Sequence, residues 1–150
     1  MTDNGKKISL TPIPGFPELS IAETIVLNTV KSQIMEVYEL YGYVPFDTRL
    51  VELDNVLNQK GIDSKELFSL NWLSKGVEYI PKESKRTFAL RFDLTVPMAR
   101  YIAQNKNAIS FPVKRYQIQK VYRAEGHKVA QGRFNEFYQS DIDVVGFNKL

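Results

Sequence analysis

The chain has no cysteine and only one histidine among its 150 residues. These counts exclude a disulfide framework and a zinc site built from thiolates. No apolar run approaches the roughly 18 residues that a membrane-spanning helix needs. The start of the chain carries two lysines without the apolar segment of a signal peptide. We therefore expect a cytoplasmic protein with no membrane partner.

A strong excess of one charge sign is also lacking, because 20 lysines and arginines stand against 17 acidic residues, which gives a net charge of +3. Such a balance neither requires nor excludes nucleic acid. The hydrophobic fraction of 43% is ordinary for a globular protein, and the length suits one domain. We expect residues 1–11 to be a flexible segment and residues 12–150 to form the domain.

The spacing of apolar residues predicts a long helix over 20–41. Ser20 and Glu23 fit a capping box at its start, and Gly42 suits the residue that follows a helix. We interpret its apolar stripe as plain core packing; the stripe consists of Val26, Val30, Ile34, Val37 and Tyr41. The other predicted elements are an extended run over 44–53, a short helix over 54–60, strands over 67–73, 77–80 and 87–92, and a helix over 96–105.

Helices interleaved with hairpin-connected strands, without a strand–helix–strand rhythm, predict an α+β fold. In this fold class an antiparallel sheet is flanked by helices. Basic residues concentrate between positions 114 and 133, where two strand-like runs flank a loop. A solvated basic strand pair would explain the charge, but the acids among these cations favour a phosphate-facing site.

These two runs share a polar face. Alternation along a strand assigns to this face Arg123, Glu125, Arg133, Phe137, Gln139 and Asp143. The opposite face of the second run is apolar, and we expect it to be a wall of the core; it consists of Phe134, Tyr138, Ile142 and Val144. Cations, carboxylates, an amide and one aromatic ring on the same face indicate a site for a polar ligand. By themselves these residues support a ligand that carries an ammonium group, bound beside a nucleotide.

Residues 122–139 have the order Tyr-Arg-x-Glu, a loop, and then Gly-Arg-x-x-x-Phe-x-Gln. This arrangement resembles motif 2 of the class II aminoacyl-tRNA synthetases and, in detail, the histidyl-tRNA synthetase family. Other stretches that agree in order and spacing are Pro14-Gly15-Phe16, Tyr41-Gly42-Tyr43 followed by Asp47-Thr48, and the run from 90 to 100. The resemblance implies a class II synthetase-like catalytic core, of which residues 12–150 are the N-terminal part with motifs 1 and 2.

The resemblance implies that Arg123 is the catalytic residue, because it matches the motif 2 arginine that contacts the α-phosphate of ATP. A guanidinium fork can bridge phosphate and carboxylate oxygens. By the same resemblance Glu125 lies near the adenine amino group, Arg133 near the γ-phosphate, and Phe137 under the adenine ring. ATP would arrive with Mg²⁺. Asp141 and Asp143, two apart on a strand, are weak grounds for a metal site of the protein's own.

For the amino acid, the resemblance implies that Asp93, Thr95 and Gln139 hold the α-amino group of L-histidine. Asp143 matches the acidic residue that accepts a hydrogen bond from the imidazole. A buried acceptor of this kind rejects isosteres without the N–H group, because it would be left unpaired.

Loops placed like the one between the two runs reach the tRNA acceptor stem in relatives, which makes His127 and Lys128 candidates for tRNA contact. Motif 1 builds the dimer interface in the family, so a homodimer is expected for the full-length protein. The motif 1 strand commonly carries proline where this chain has Arg49. That departure bears on the geometry of the strand and on the dimer contact.

The implied function is that of a histidine–tRNA ligase, which activates L-histidine with ATP and transfers it to tRNA(His). One alternative is a non-catalytic paralogue that senses histidine, such as the regulatory subunit of ATP phosphoribosyltransferase. A simple RNA-binding domain is a third possibility, but it leaves Asp93, Gln139 and Asp143 unexplained. The later signatures of the family are absent from these 150 residues, so we expect an N-terminal portion with weak or no activity by itself.

Overall fold

The computed structural model describes residues 9–58, 67–70, 72–74, 77–79, 87–124 and 132–146. Its helices are α1 (Ile21–Leu40), α2 (Asp54–Leu57) and α3 (Thr95–Asn105). Its strands are β1 (Val44–Pro45), β2 (Val51–Leu53), β3 (Ser69–Leu70), β4 (Trp72–Ser74), β5 (Val77–Tyr79), β6 (Phe88–Leu90), β7 (Val113–Tyr122) and β8 (Glu136–Val145). None of the helices in these ranges combines the length and the apolar character needed to cross a bilayer.

The strands form three small sheets, with the orders β1-β7-β8, β2-β6-β3 and β4-β5. All pairs are antiparallel except β1 with β7, which is parallel. The expected α+β class with an antiparallel sheet is therefore confirmed, with one parallel pair added. Strands β7 and β8 form the longest pairing, from Val113 opposite Val145 to Tyr122 opposite Glu136.

Helix α1 begins at the predicted capping box. The backbone N–H of Ser20 donates to Glu23 Oε2 at 2.8 Å, and the Ser20 side chain accepts from the Glu23 N–H at 3.3 Å. The helix ends before Gly42, whose φ of 77° is the left-handed value that lets the chain turn away. The predicted bounds of 20–41 are confirmed to within one residue at each end.

The prediction that the apolar stripe of α1 packs on the core is wrong for this chain. No residue of α1 is buried, and Val26, Val30 and Val37 are 62%, 45% and 52% exposed. The helix instead touches the sheet through polar side chains: Tyr38 Oη lies 3.0 Å from Ser140 Oγ, and Tyr116 Oη donates to Glu39 Oε1 at 2.7 Å. An apolar strip of α1 thus faces outward beside the sheet.

The predicted extended run over 44–53 is divided between two sheets, because β1 pairs with β7 and β2 pairs with β6. Arg49 lies just before β2 and donates to Glu52 Oε2 at 2.7 Å. Arg100 reaches the other oxygen of Glu52, also at 2.7 Å, and the Glu52 side chain is 0% exposed. Arg49 is therefore one of two cations that neutralise a buried carboxylate, and the other, Arg100, ties β2 to α3.

The remaining predictions hold in part. Helix α3 begins at Thr95 with Pro97 in its first turn, as expected. The run predicted over 67–73 is split into β3 and β4, and β4 pairs with β5 as the predicted hairpin, although the turn at 75–76 lies outside the described residues. Strand β6 is shorter than the predicted 87–92, and its buried residue is Ala89.

The core lies where β6, α2, α3 and β7 meet. Its buried apolar side chains include Leu57, Ala89, Leu94, Met98, Tyr116 and Val121. Buried polar side chains accompany them, namely Thr48, Glu52, Arg91, Arg115 and Gln117. Buried polar residues are the exception in proteins and require partners, so these residues mark the part of the molecule where a site is to be sought.

Candidate ligand site on the polar face of the β7 and β8 ribbon

The register of β7 and β8 places polar side chains opposite each other along one face. The facing pairs are Arg115 with Asp143, Gln117 with Asp141, Gln119 with Gln139, and Val121 with Phe137. This set is called the polar face below. Side chains at alternate positions share a face. The burial of β8 follows the same period from Phe137 to Val144: Phe137, Gln139, Asp141 and Asp143 are partly buried, and the residues that alternate with them are exposed.

The prediction about the opposite face of β8 is wrong. Phe134, Tyr138, Ile142 and Val144 were expected to be a wall of the core, yet each is between 39% and 44% exposed. The side chains alternate as predicted, but the inward side of the ribbon formed by β7 and β8 is the polar one. Lys31 of α1 lies over the Tyr138 ring at 4.8 Å, so α1 contacts this outer face.

The segment 91–94, which leads into α3, approaches the polar face along β7. Arg91 is buried, and its Nε donates to the Lys120 carbonyl at 3.0 Å while its Nη1 donates to the Thr48 carbonyl at 2.8 Å. These bonds join β7, the chain after β1 and the start of α3. They hold the next acidic residue, Asp93, against the face.

Arg123 and Phe137 form one unit at the end of the ribbon. Arg123 follows β7 directly, and its backbone N–H donates to the Asn135 carbonyl at 2.8 Å. Its guanidinium lies 5.1 Å from the centroid of the Phe137 ring, and its Nε donates to the Phe92 carbonyl at 3.1 Å. A cation over the face of an aromatic ring is a favourable contact. The structure therefore brings together two of the residues predicted for the nucleotide.

The N-terminal segment supports this end of the ribbon. The Gly15 carbonyl accepts from the backbone N–H groups of Asn135 and Glu136, at 2.8 and 3.1 Å. Gly15 has a φ of 83°, and a Cβ there would lie 2.7 Å from the Asn135 side chain. Only glycine suits this close approach, which gives a structural reason for the glycine of the Pro14-Gly15-Phe16 stretch.

Asp93 sits between the start of α3 and the polar face. Its Oδ1 accepts the backbone N–H of Val96 at 3.2 Å, which caps the first turn of α3. Burial raises the pKa of Asp93, and the charge of Asp141 raises it further; the Val96 hydrogen bond and the cations Arg123 and Arg115 act in the opposite direction. A carboxylate whose pKa is raised in this way is stabilised in its charged form when a cation binds beside it.

Gln139 and Asp141 are linked along β8. Gln139 Nε2 donates to Asp141 Oδ2 at 2.9 Å. A carboxylate can only accept, so this bond fixes the orientation of the Gln139 amide. The other end of the amide, Oε1, is buried without a partner in the described part of the chain. Gln139 therefore has an acceptor oxygen on the polar face without a partner among the described residues.

Arg115 and Asp143 form an ion pair at the far end of the ribbon. The Arg115 side chain is 2% exposed, whereas that of Asp143 is 36% exposed. The arginine thus lies beneath a carboxylate that ligand or solvent can reach. Gln117, the next residue inward on β7, donates to Thr48 Oγ1 at 2.9 Å.

The other predicted site residues fall into two groups. Thr95 is exposed at the first position of α3, two residues after Asp93. Arg133 was predicted to open the second strand on the polar face, but β8 begins at Glu136, and Arg133 lies in the preceding loop and is exposed. Glu125, His127 and Lys128 lie outside the described residues. No group of three or more metal-ligating side chains is close enough to hold a metal ion in the ranges that the structure describes.

Two buried residues of the polar face, Arg115 and Gln117, were absent from the predicted site. A signal for them exists, because Arg115, Gln117 and Gln119 alternate along β7 as Phe137, Gln139, Asp141 and Asp143 do along β8. Polar residues at every second position of a strand that would otherwise be core indicate a lined site.

The sequence model of a family described as histidyl-tRNA synthetase matches residues 15–150. The chain belongs to the histidyl-tRNA synthetase family. Membership confirms the resemblance drawn from motifs 1 and 2, and the fold is that of a class II aminoacyl-tRNA synthetase catalytic domain.

Individual members of the histidyl-tRNA synthetase family are also similar to this chain. A histidine–tRNA ligase from Bifidobacterium animalis subsp. lactis is 47% identical over 140 residues, which cover 92% of this chain and 29% of that protein. The crystal structure of histidyl-tRNA synthetase from Nostoc sp. PCC 7120 has a TM-score of 0.73 at 37% identity, over 95% of this chain and 30% of that one.

A Bacillus halodurans C protein, described as an ATP phosphoribosyltransferase regulatory subunit/histidyl-tRNA synthetase, has a TM-score of 0.74 at 22% identity. It covers 95% of this chain and 34% of its own. At that identity the likeness supports the fold alone. The chain spans about a third of the length of these relatives.

Proposed function

We propose that this chain supplies the adenylation site of a histidine–tRNA ligase, with residues 12–150 as the N-terminal part of its catalytic domain. One observation carries the proposal: the Arg123 and Phe137 unit lies on the same ribbon face as the acceptors Gln139 and Asp143. Asp93 adjoins that face from the segment before α3. A cation and ring suited to a nucleotide therefore neighbour carboxylates suited to a cationic amino acid.

The nucleotide end is assigned to Arg123 and Phe137. Arg123 is fixed by the Phe92 carbonyl and by its place over the Phe137 ring, so its guanidinium needs little rearrangement to meet a phosphate. Phe137 offers an aromatic surface for adenine. We assign Glu125 and Arg133 to ATP as well, by resemblance to the family.

The amino-acid end is assigned to Asp93, Gln139 and Thr95. Asp93 is an acid whose raised pKa reflects an unfavourable burial that a bound ammonium would relieve. Gln139 Oε1 is a buried acceptor that lacks a donor within the described residues. Thr95 adds a hydroxyl at the start of α3, and Asp143 accepts the imidazole N–H at the other end of the ligand.

The proposed reaction joins two anions, the carboxylate of L-histidine and the α-phosphate of ATP. A carboxylate oxygen attacks the α-phosphorus, a new P–O bond forms, and pyrophosphate leaves with the electrons of the broken bond. Arg123 stabilises the negative charge that builds up on the α-phosphate oxygens. Mg²⁺ enters as part of the ATP substrate. The histidyl group then passes from the adenylate to the 3′ end of tRNA(His), with His127 and Lys128 as candidate tRNA contacts.

We further propose that the protein acts as a homodimer in the cytoplasm, and that a second copy covers the outward strip of α1. The exposed valines of α1 support this assignment, because large exposed apolar strips on a soluble fold favour association. Arg49 is compatible with the motif 1 strand, since it pairs with Glu52 and leaves the pairing of β2 with β6 intact.

Histidine-dependent exchange of pyrophosphate into ATP tests the adenylation proposal. The protein at its natural length should catalyse exchange with histidine and not with the other amino acids. Arg123→Ala should lower the rate by about 100-fold or more, as the loss of one preorganised charge donor does elsewhere. Lys106→Ala, which removes an exposed cation at the end of α3 and outside the polar face, should keep most of the rate.

Each outcome separates the candidates. Exchange that requires histidine and Arg123 supports the ligase. Histidine binding without exchange in the full-length protein would favour the non-catalytic, histidine-sensing paralogue. Equal rates in Arg123→Ala and Lys106→Ala would overturn the assignment of Arg123. For the 150-residue chain by itself we expect weak or no exchange.

A further inference from the structure

Four buried side-chain atoms have no hydrogen-bond partner in the described part of the chain, and all belong to the polar face. They are Arg115 Nε, Arg115 Nη1, Gln117 Oε1 and Gln139 Oε1. Unpaired buried polar atoms are rare because each one loses its bonds to water. Their concentration on one face indicates that the ribbon is built to complete its bonding with a bound molecule or ordered water.

Arg115 contributes two of these four atoms, and the proposed adenylation reaction gives it no role. Its guanidinium pairs through Nη2 with the carboxylate of Asp143, the proposed acceptor for the imidazole. Arg115 is almost fully buried whereas Asp143 is accessible. Arg115 is therefore a fixed, buried cation behind the Asp143 carboxylate, whose oxygen atoms are proposed to meet the ligand.

Other charges face the same space. Asp141 lies two residues before Asp143 on β8, Asp93 lies before α3, and Arg123 follows β7. Arg115 acts across this space as well as on its neighbour, since its charge lowers the pKa of Asp93. Asp47 and Arg91 flank the site near Gln119 and Thr48.

We propose that Arg115 is a positioning residue that makes the site select the neutral imidazole of its ligand over the imidazolium. The inference rests on the proposed histidine site and deepens it. Paired with Arg115, the Asp143 carboxylate is held in place and its charge is balanced, so it accepts an N–H from a neutral ring. A ring that carries its own positive charge would be repelled by the guanidinium behind the acceptor.

Without the cation, Asp143 would be a lone carboxylate beside Asp141 and Asp93. A lone carboxylate attracts a positive ring, so the preference would turn toward imidazolium. The free imidazole of histidine has a pKa of about 6.5, which places the change of preference within an easily measured range.

The test measures L-histidine affinity by calorimetry from about pH 5.5 to about pH 8.5, a range that spans the imidazole titration. The proteins are the wild type at its natural length, Arg115→Met and Arg115→Lys. Near pH 8 we expect Arg115→Met to bind about 10-fold more weakly, because Asp143 is no longer held. As the pH falls, the wild type should lose histidine affinity more steeply than Arg115→Met. The difference in affinity between the two proteins should therefore shrink or reverse.

Triazolylalanine is the matched ligand, because its ring has the shape of imidazole and stays unprotonated in this range. Because this ring does not titrate, its affinity should change little between acid and neutral pH. The ratio of the affinities of Arg115→Met and the wild type for triazolylalanine should therefore stay the same at acid pH. Arg115→Lys keeps the charge and loses the fork, so it should bind histidine more weakly with the pH profile of the wild type. ATP affinity and thermal unfolding report whether each variant is folded.

The outcomes are distinct. Arg115→Met with the affinity and pH profile of the wild type would overturn the inference while the proposed function stands. A loss of the same factor at every pH and for both ligands would show a structural role only. If Arg115→Met does not fold, an altered pH profile in Arg115→Lys would overturn the inference and a retained profile would support it. A wild-type protein that binds ATP but not histidine would overturn the proposed function itself.

Discussion

The two faces of the β7 and β8 ribbon show opposite relations between polarity and burial. On the polar face Arg115 and Gln117 are each 1% exposed, while on the other face Tyr138 and Ile142 are 39% and 44% exposed. Folding alone favours the reverse arrangement, since burial of charge is costly and burial of apolar surface is favourable. We interpret the buried polar face as the mark of the polar ligand proposed above, whereas α1 contacts the other face through Lys31 and Tyr38.

A separate group of buried charges, around Glu52, shows how charges are buried where no ligand is proposed. Glu52 is fully buried, but both of its oxygens are taken by Arg49 and Arg100. The polar face differs because it leaves atoms of Arg115, Gln117 and Gln139 without partners among the described residues. Complete pairing indicates a structural role, and incomplete pairing indicates a place for a ligand.

The largest expected effect comes from Asp93→Asn, which removes the charge proposed to face the ammonium group of the ligand but keeps an oxygen that can cap α3. We expect histidine affinity to fall by about 100-fold, because the ligand cation loses its main counter-charge. ATP affinity should be retained. Calorimetric titration of both ligands checks this, and unchanged histidine binding would remove Asp93 from the site.

A smaller effect is expected from Val30→Glu, which places a carboxylate in the exposed apolar strip of α1. If a second copy covers the strip, the dimer dissociation constant should rise by roughly 30-fold, the effect of burying an unpaired charge at an interface. Ser32→Glu is the matched control, because two residues along a helix turn the side chain to the opposite side. Sedimentation equilibrium measures both variants, and equal association of the two would place the interface elsewhere.

Asp141→Asn, a substitution on the polar face, is expected to lower histidine affinity modestly. The substitution removes one negative charge near Asp93. It also weakens the orientation of the Gln139 amide, because an asparagine at 141 can present its NH₂ group as well as its oxygen to Gln139. Histidine affinity should fall by about 5-fold, the effect of losing one oriented hydrogen bond. Isothermal titration measures the change. Asp54→Asn, an acid in α2, controls for the lost charge and should bind as the wild type does.

The smallest effect concerns stability and pH. Because the pKa of Asp93 is raised in the folded protein, its ionised form opposes folding, and this loss of stability develops as pH rises through the folded pKa. Asp93→Asn should therefore be slightly more stable than the wild type at neutral pH. Below the ordinary pKa of aspartate both side chains are neutral, and the difference should vanish. Urea unfolding along a pH series checks this, and a less stable variant at neutral pH would contradict it.

Much of the inner face could be predicted from the sequence. Period-2 alternation placed Phe137, Gln139 and Asp143 together, and the motif around Arg123 indicated its partner region. Arg133 was misplaced because β8 begins three residues later, and local propensity sets strand ends poorly when pairing with a neighbour decides them. The division of 44–53 between two sheets was also missed, since a continuous extended run carries no sign of changing its partner.

The sequence by itself determined the family, the capped start of α1, the α+β class and the composition of each ribbon face. These properties depend on local spacing and residue chemistry, which are present in the linear chain. Only the tertiary structure decided which face points inward, that Arg115 lies behind Asp143, and that Arg49 neutralises Glu52. Burial and charge pairing join residues distant along the chain, so alternation defines two faces of a strand without saying which one the rest of the protein covers.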